Sequence, residues 1–323
     1  MKPCAFVCRA AAAALLVFAA LSPASAAPPD LTSPPVALEG LRLLYSGDPD
    51  AAIEKFAELE QQQPDHPLGY LLEAEARWWK IVCLSAEFKW GMTDTWRREK
   101  LPEDAAYLKL ADKSISLAEA QLKQSDSAEM RFYAGMGYAL KARLYGLRDE
   151  KRATARAGVR AREHLLRALA LDPSLVDACT GVGLYNYYVD TLSAIAKFLR
   201  FFMGIPGGSK REGIRLLEKA MTEGVITPAE ARFYLARNLR NYDRDYERAL
   251  GILTPLVEQY PANPLFQLAM GDLNAKLNRK EKAAAYYRAA AALPVRDPAC
   301  RASIERLVRE SLAALGPGFV PAN

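Results

Sequence analysis

"ALGILTPLVEQYP", residues 249–261, is the stretch that decides the fold. Ala249, Leu253, Leu256 and Pro261 stand at the offsets A-x3-F-x2-A-x4-P. The first three fall on one face of a helix, and the proline ends it because it has no N–H to donate. Thirty-four residues beyond Ala249 comes Ala283, with Tyr287 and Ala290 at the same offsets, and Gly271 stands twelve residues before Ala283. Working outward, Gly40, Ala52, Phe56, Leu59 and Pro64 keep that frame near the N-terminus. So do Ala161, Leu165, Ala168 and Pro173 in "AREHLLRALALDP", and Gly183 follows Pro173 by ten residues as Gly271 follows Pro261.

A 34-residue period with these letters is the tetratricopeptide pattern, a helix–turn–helix unit. Small residues let the two helices approach closely, and the bulky residue four positions later fills the gap. The predicted fold class is all-α: a tetratricopeptide-like α-solenoid, a superhelix of antiparallel helix pairs with about fourteen helices. Alternating β-branched runs are absent, and Ala, Leu, Glu, Lys and Arg dominate. "SGDPD" (46–50) reads as an inter-helix turn; 67–84, 103–124, 127–148 and 152–171 read as helices; 85–102, with "FKWGMTDTWRREKLP", reads as a loop or broken helix. No Ser/Gly linker divides the chain, so residues 27–323 are expected to form one continuous domain.

The first 26 residues read as a signal peptide. Lys2 and Arg9 form a basic start, Ala10 to Leu21 an apolar run, and Ala24-Ser25-Ala26 a small-residue cleavage site. The run is too short for a comfortable membrane span, which takes about 20 apolar residues; an uncleaved N-terminal anchor is the alternative. Cleavage near Ala26 implies an exported protein, periplasmic or secreted. The leader carries two positive charges and no acidic residue, so the formal net charge falls from +5 to +3. That is too mild to suggest nucleic acid as a partner. Cys83, Cys179 and Cys300 remain, far apart and in apolar surroundings. They read as buried small hydrophobes, with one disulfide among them as the alternative in an oxidising compartment.

A second resemblance is carried by "HPLGYLLEAEARWWKI", by "DACTGVGLYNYYVDTLSAIAKFLRFFMGIPGGSKREGIRLLEKA" and by "YERALGILTPLVEQYPANPLFQ". These resemble a bacterial family of exported tetratricopeptide proteins. The middle block is also similar to the core of the eukaryotic tetratricopeptide-repeat-39 and inclusion-body-clearance family. There a G-x-G-L-[YF] helix leads to an apolar insert, then to a Gly-Asp-Arg-like turn and a Gly-Leu-x-x-Leu helix. This chain has Ser209 and Lys210 where the turn's acid and arginine would stand, so the resemblance does not carry over an ion pair there. It implies a scaffold or adaptor and supplies no catalytic residue.

Between Gly183 and Gly213 lie thirty positions where the frame needs twelve, so eighteen residues are inserted, at 189–206. On a helix, Leu192, Ile195, Phe198, Leu199, Phe202 and Met203 share a broad apolar face opposite Ser193, Lys197, Arg200 and Gly204. With Phe201 added, the insert is too apolar for a free loop. The reading preferred is a helix packed against Trp78 and Tyr187. A lid or partner-docking helix carried by Phe198, Phe201 and Phe202, and a segment on a membrane surface, are the alternatives. By family convention the concave positions of the first helices contain Trp78, Tyr187, Tyr234, Asn238 and Asn241. Aromatics beside amides suit a peptide or an amphipathic ligand, with the end near Tyr234 and Asn238 left open; packing between irregular helices is the plainer reading of the same residues. Arg232, Arg237 and Arg240 recur on one helix and read as a solvated stripe, a carboxylate-binding groove being the alternative.

Catalysis finds little support. His66 and His164 are the only histidines, and no H-E-x-x-H, C-x-x-C or G-x-S-x-G occurs. "GIPGGSK" lacks the spacing of a phosphate loop and reads as a helix-breaking turn with Ser209 as N-cap. No metal or cofactor is expected. The leading expectation is a non-catalytic exported scaffold binding a protein or peptide in its superhelical groove. Behind it stand a small-molecule-binding accessory of solute transport and an envelope-polymer assembly factor or enzyme.

Overall fold

The computed structural model describes residues 34–319 except Met203, without the side chains of Phe198, Leu199 and Phe202. The signal peptide expected over residues 1–26 lies outside the described residues. The described residues belong to one compact unit. Among the described residues are fourteen α-helices: α1 (Pro35–Tyr45), α2 (Pro49–Gln62), α3 (Pro67–Ser85), α4 (Pro102–Leu122), α5 (Ala128–Leu147), α6 (Lys151–Leu171), α7 (Ala178–Thr191), α8 (Ala194–Phe202), α9 (Lys210–Glu223), α10 (Pro228–Asn238), α11 (Tyr246–Gln259), α12 (Pro264–Lys276), α13 (Lys280–Ala292) and α14 (Pro298–Leu315). A hairpin, β1 (Ala86–Lys89) and β2 (Met92–Thr95), separates α3 from α4. The fold is a tetratricopeptide-type helical repeat.

Local chemistry sets the helix ends. Pro35, Pro49, Pro67, Pro102, Pro228, Pro264 and Pro298 open their helices, where a missing N–H costs nothing. Asp48, Ser127, Ser209, Asp245, Asn263 and Asp297 cap them by accepting free main-chain N–H groups. Helices α2, α6 and α11 each stop two residues before Pro64, Pro173 and Pro261, as the repeat frame requires.

The frame itself is visible as contacts. A Cβ on Gly40 would lie 2.3 Å from the Phe56 ring, and one on Gly271 would lie 2.3 Å from the Tyr287 ring. In both pairs the bulky residue four places after the small one fills the glycine's gap. Gly183 meets Leu217 in the same relation, its Cβ position 2.9 Å from Leu217 Cγ and 3.0 Å from Gly213 O. The pair α7–α9 is therefore a regular unit interrupted by the eighteen-residue insert.

Three features depart from the expectations. First, 86–95 is a β-hairpin and not a loop or broken helix. A two-residue turn joins Lys89 to Met92, and both of its residues, Trp90 (φ 52°) and Gly91 (φ 70°), are left-handed. That is the turn whose twist matches a hairpin. Second, the insert leaves Ile195 and Phe201 exposed, so these two side chains are not packed against Trp78 and Tyr187; the side chains of Phe198 and Phe202 lie outside the described residues. Polar contacts hold its base: Lys197 pairs with Asp190 at 2.9 Å, and Tyr185 Oη donates to Pro206 O at 2.8 Å. Third, Cys83 and Cys300 form a disulfide with Cα atoms 5.5 Å apart, while Cys179 is a buried free thiol. The reading of all three as plain hydrophobes fails because α3 and α14, far apart in sequence, are neighbours.

That neighbourhood reflects closure of the superhelix. The α1–α2 turn packs on the α11–α12 turn: Asn263 Nδ2 donates to Tyr45 O at 3.0 Å, and the Tyr45 and Tyr260 rings are 5.8 Å apart. Gly47 (φ 93°) is needed there, because a side chain would meet Ala262 O and Asn263 Cα at 3.0 Å. Helix α3 consequently runs through the interior, with Trp79 against Phe233 of α10 and Phe266 of α12.

Candidate binding groove

The concave residues named from the sequence are brought together, but they are filled rather than open. Trp78, Tyr187, Tyr234 and Asn238 are all buried. Trp78 Nε1 donates to Tyr234 Oη at 2.6 Å. Arg143, on α5, lies over the Trp78 ring at 4.6 Å and ties two buried carboxylates together, bonding Glu75 and reaching Glu230 Oε1 at 2.9 Å. Burial, helped by the nearby Glu75 charge and opposed by Arg143, raises the Glu230 carboxyl to about 8. Burial likewise raises the Tyr234 hydroxyl to about 12. The opening expected near Tyr234 and Asn238 is thus closed by an aromatic and ionic core. Tyr187 is fixed from its other end by a hydrogen bond to Asp243, which also pairs with Lys210. The resemblance left an ion pair at that turn undecided; Lys210 makes one, and its main-chain N–H donates to Asp190 Oδ2 at 2.8 Å.

The next stretch of groove, at Asn241, holds the hairpin. Strand β2 lies against α10, α12 and the π-helical turn Leu239–Asp243. Hydrogen-bonded and non-hydrogen-bonded pairs alternate along an antiparallel ladder. Lys89 and Met92 close the two-residue turn, so Thr93 presents its main-chain groups away from β1. Side chains of the groove take both: Thr93 N–H donates to Asp272 Oδ2 at 2.6 Å, and Arg240 Nη2 donates to Thr93 O at 2.6 Å. The Asp94 carboxylate receives Arg237 Nε at 2.8 Å, Asn241 Nδ2, and its neighbour's Thr95 N–H at 2.7 Å. Burial alone would raise the Asp94 carboxyl, but Arg237 and Arg240 hold it below its ordinary value. Asp272, fully buried, is pushed up to about 6 by burial despite Arg240 and the bonds from Thr93 and Tyr287.

Arg237 and Arg240 therefore bind a carboxylate and are not the solvated stripe the spacing suggested; Arg232 instead donates to Ile252 O at 3.3 Å. Sequence reasoning missed Thr93, Asp94, Asp272, Arg143 and Glu230 as members of the groove. The one available signal was Gly91 between two short runs; Trp90 before it is not a usual hairpin-turn residue, which hid the turn. His66 caps α3, its Nδ1 accepting from Leu68 N–H at 3.3 Å. His164 stacks on Tyr138, and burial together with Arg131 lowers its pKa.

No family model matches the chain, and no curated protein does. Solved structures do match. They include the C-terminal part of a TPR repeat-containing protein from Cytophaga hutchinsonii, 15% identical with TM-score 0.35, covering 86% of this chain and 84% of that one. Yeast Tom70 is 13% identical with TM-score 0.32, over 88% of this chain and 77% of that one. A monomeric mutant of IFIT1 with Gppp-AAAA is 10% identical with TM-score 0.31, over 75% and 67%. The repeat type is read from the Gly40–Phe56, Gly183–Leu217 and Gly271–Tyr287 contacts of this chain.

Proposed function

We propose that this protein is an exported, non-catalytic helical-repeat scaffold that binds a protein or peptide partner in the groove formed by its first helices. One observation supports this most: the groove already holds an extended segment, contacting Thr93 through the main chain and Asp94 through the side chain. Surfaces that satisfy a strand's main-chain groups are a recurrent means of peptide recognition. Export is supported by the basic, apolar and small-residue order of residues 1–26.

A photo-cross-linking amino acid at Tyr242, half exposed at the groove's rim, is compared in cells with one at Leu166 on α6. A discrete adduct from position 242 and none from 166 is the expected result. No adduct at 242, or the same pattern at both, removes the groove as the binding surface. The intact mass of the same protein tests export. A chain beginning near Ala27 is expected, and an intact Met1 on membrane-retained protein refutes cleavage.

A further inference from the structure

We propose that Arg237, Arg240, Asn241 and Asp272 form a site for an acidic, extended peptide segment, whose place the hairpin's Thr93–Asp94 pair holds in the free protein. This rests on the groove reading above and adds the class of partner.

The contacts divide into two kinds. Asp272 and Arg240 grip the N–H and C=O of Thr93, at 2.6 Å each, and so read an extended main chain, with the Thr93 hydroxyl a weaker donor to Asp272 Oδ1 at 3.5 Å. Arg237 and Asn241 grip the Asp94 carboxylate, with Arg240 a further 3.8 Å away, and so read an acid one residue later. Emptied of the hairpin, the cradle has two guanidinium groups against the single Asp272 carboxylate. Its excess positive charge complements an acid and repels a base.

The cradle's backbone is also specialised. Helix α10 runs into the π turn Leu239–Asp243, which ends at Arg244 in the left-handed region (φ 55°). Such turns are rare and concentrate at functional sites; this one carries both Arg240 and Asn241.

The occupant is weakly built. A two-stranded ribbon alone is marginal in water, and its tip holds Trp90 in a left-handed conformation that a bulky side chain rarely adopts, with the ring exposed. Against its other edge lies an open cleft, lined by Phe88 and Trp96 on one side and Arg306, Glu310 and Ala313 of α14 on the other. Withdrawal toward it breaks the hold of Lys276 Nζ on Trp90 O at 2.5 Å, while Arg306 Nη2, bonded to Ala86 O at 2.9 Å, keeps the ribbon's base in place. A tethered occupant competes at an effective concentration on the order of millimolar, so an added peptide binds the native protein weakly until the hairpin's own hold is loosened.

The test uses the mature full-length chain and a fluorescein-labelled ten-residue polar peptide with a central Thr-Asp pair, alongside Thr-Asn and Thr-Lys versions. Asp94→Asn keeps the hairpin's shape and removes its charge. Fluorescence anisotropy is expected to show the Thr-Asp probe binding this variant at least tenfold tighter than wild type. The Thr-Asn probe binds at least tenfold more weakly, and Arg237→Met added to Asp94→Asn abolishes the gain. Equal binding of the Thr-Asp probe by wild type and a helical Asp94→Asn protein overturns the proposal, as does equal binding of the Thr-Asp and Thr-Asn probes. Competition by acetate at the same concentration overturns the peptide class. Should Asp94→Asn fail to fold, hydrogen exchange at Thr93 in wild type with millimolar Thr-Asp probe decides: faster exchange of the Thr93 amide, which Asp272 holds, supports displacement, and unchanged exchange refutes it. An adduct at position 242 that survives in Arg237→Met protein leaves the scaffold standing and removes this site; absence of any groove adduct removes the scaffold itself.

Discussion

Gly183→Ala, paired with Gly251→Ala, tests the repeat frame at the point where eighteen inserted residues interrupt it. A methyl at Gly183 would sit 2.9 Å from Leu217 Cγ, 3.0 Å from Gly213 O and 3.3 Å from Leu216 Cβ. Leu217 could rotate away, but the Gly213 carbonyl is main chain inside the first turn of α9 and cannot. The two helices must therefore separate by several tenths of an ångström, and overpacking of this kind costs about 1–3 kcal/mol. Against this runs the intrinsic gain of alanine over glycine in a helix, about 1 kcal/mol. Gly251, within α11, has nothing within 4 Å of its Cβ position, so there only the gain remains. The two variants are expected to diverge: Gly183→Ala loses about 0–2 kcal/mol net and Gly251→Ala gains about 0.5–1 kcal/mol. Urea unfolding followed by circular dichroism and by tryptophan emission measures both, with coincident transitions required before linear extrapolation. A Gly183→Ala protein as stable as Gly251→Ala would mean that α7 and α9 do not meet at Gly183 and that the insert has been placed wrongly in the frame.

Reduction of the Cys83–Cys300 bond, which spans 217 residues, is expected to destabilise the protein by about 2–5 kcal/mol; the urea midpoint with and without dithiothreitol checks this, and no shift would show that the α1–α2 and α11–α12 turn contacts suffice to close the superhelix. Arg143→Met leaves the Glu75 carboxylate buried without its cation, beside a Glu230 carboxyl that burial already keeps mainly neutral at pH 7, and is expected to cost about 3–5 kcal/mol, read by thermal denaturation at neutral pH; adding Glu75→Gln to that variant should recover most of the loss. Asp272, raised to about 6 when folded against an ordinary carboxyl value near 4, favours the folded state when protonated. Its contribution is complete below about pH 4 and is lost as pH rises through about 6. The difference in stability between Asp272→Asn and wild type should follow that slope between those limits, and a pH-independent difference would place the folded carboxyl near its ordinary value.

The sequence by itself determined the helical class, the repeat frame and, to within two residues, the bounds of the four helices read at 67–84, 103–124, 127–148 and 152–171. Those features are local. Small and large residues at fixed offsets, prolines at first turns and capping oxygens act over one or two turns of helix. The insert was legible for the same reason, as eighteen residues too many between Gly183 and Gly213. Only the tertiary structure decided what occupies the groove. Asp94 meets Arg237 across 143 residues, Arg143 joins Glu75 to Glu230, and Cys83 finds Cys300. Each pairing depends on how far the superhelix turns, which is the sum of small rotations between successive repeats. No single repeat encodes that sum, so the letters that define the helices are silent about which of them meet.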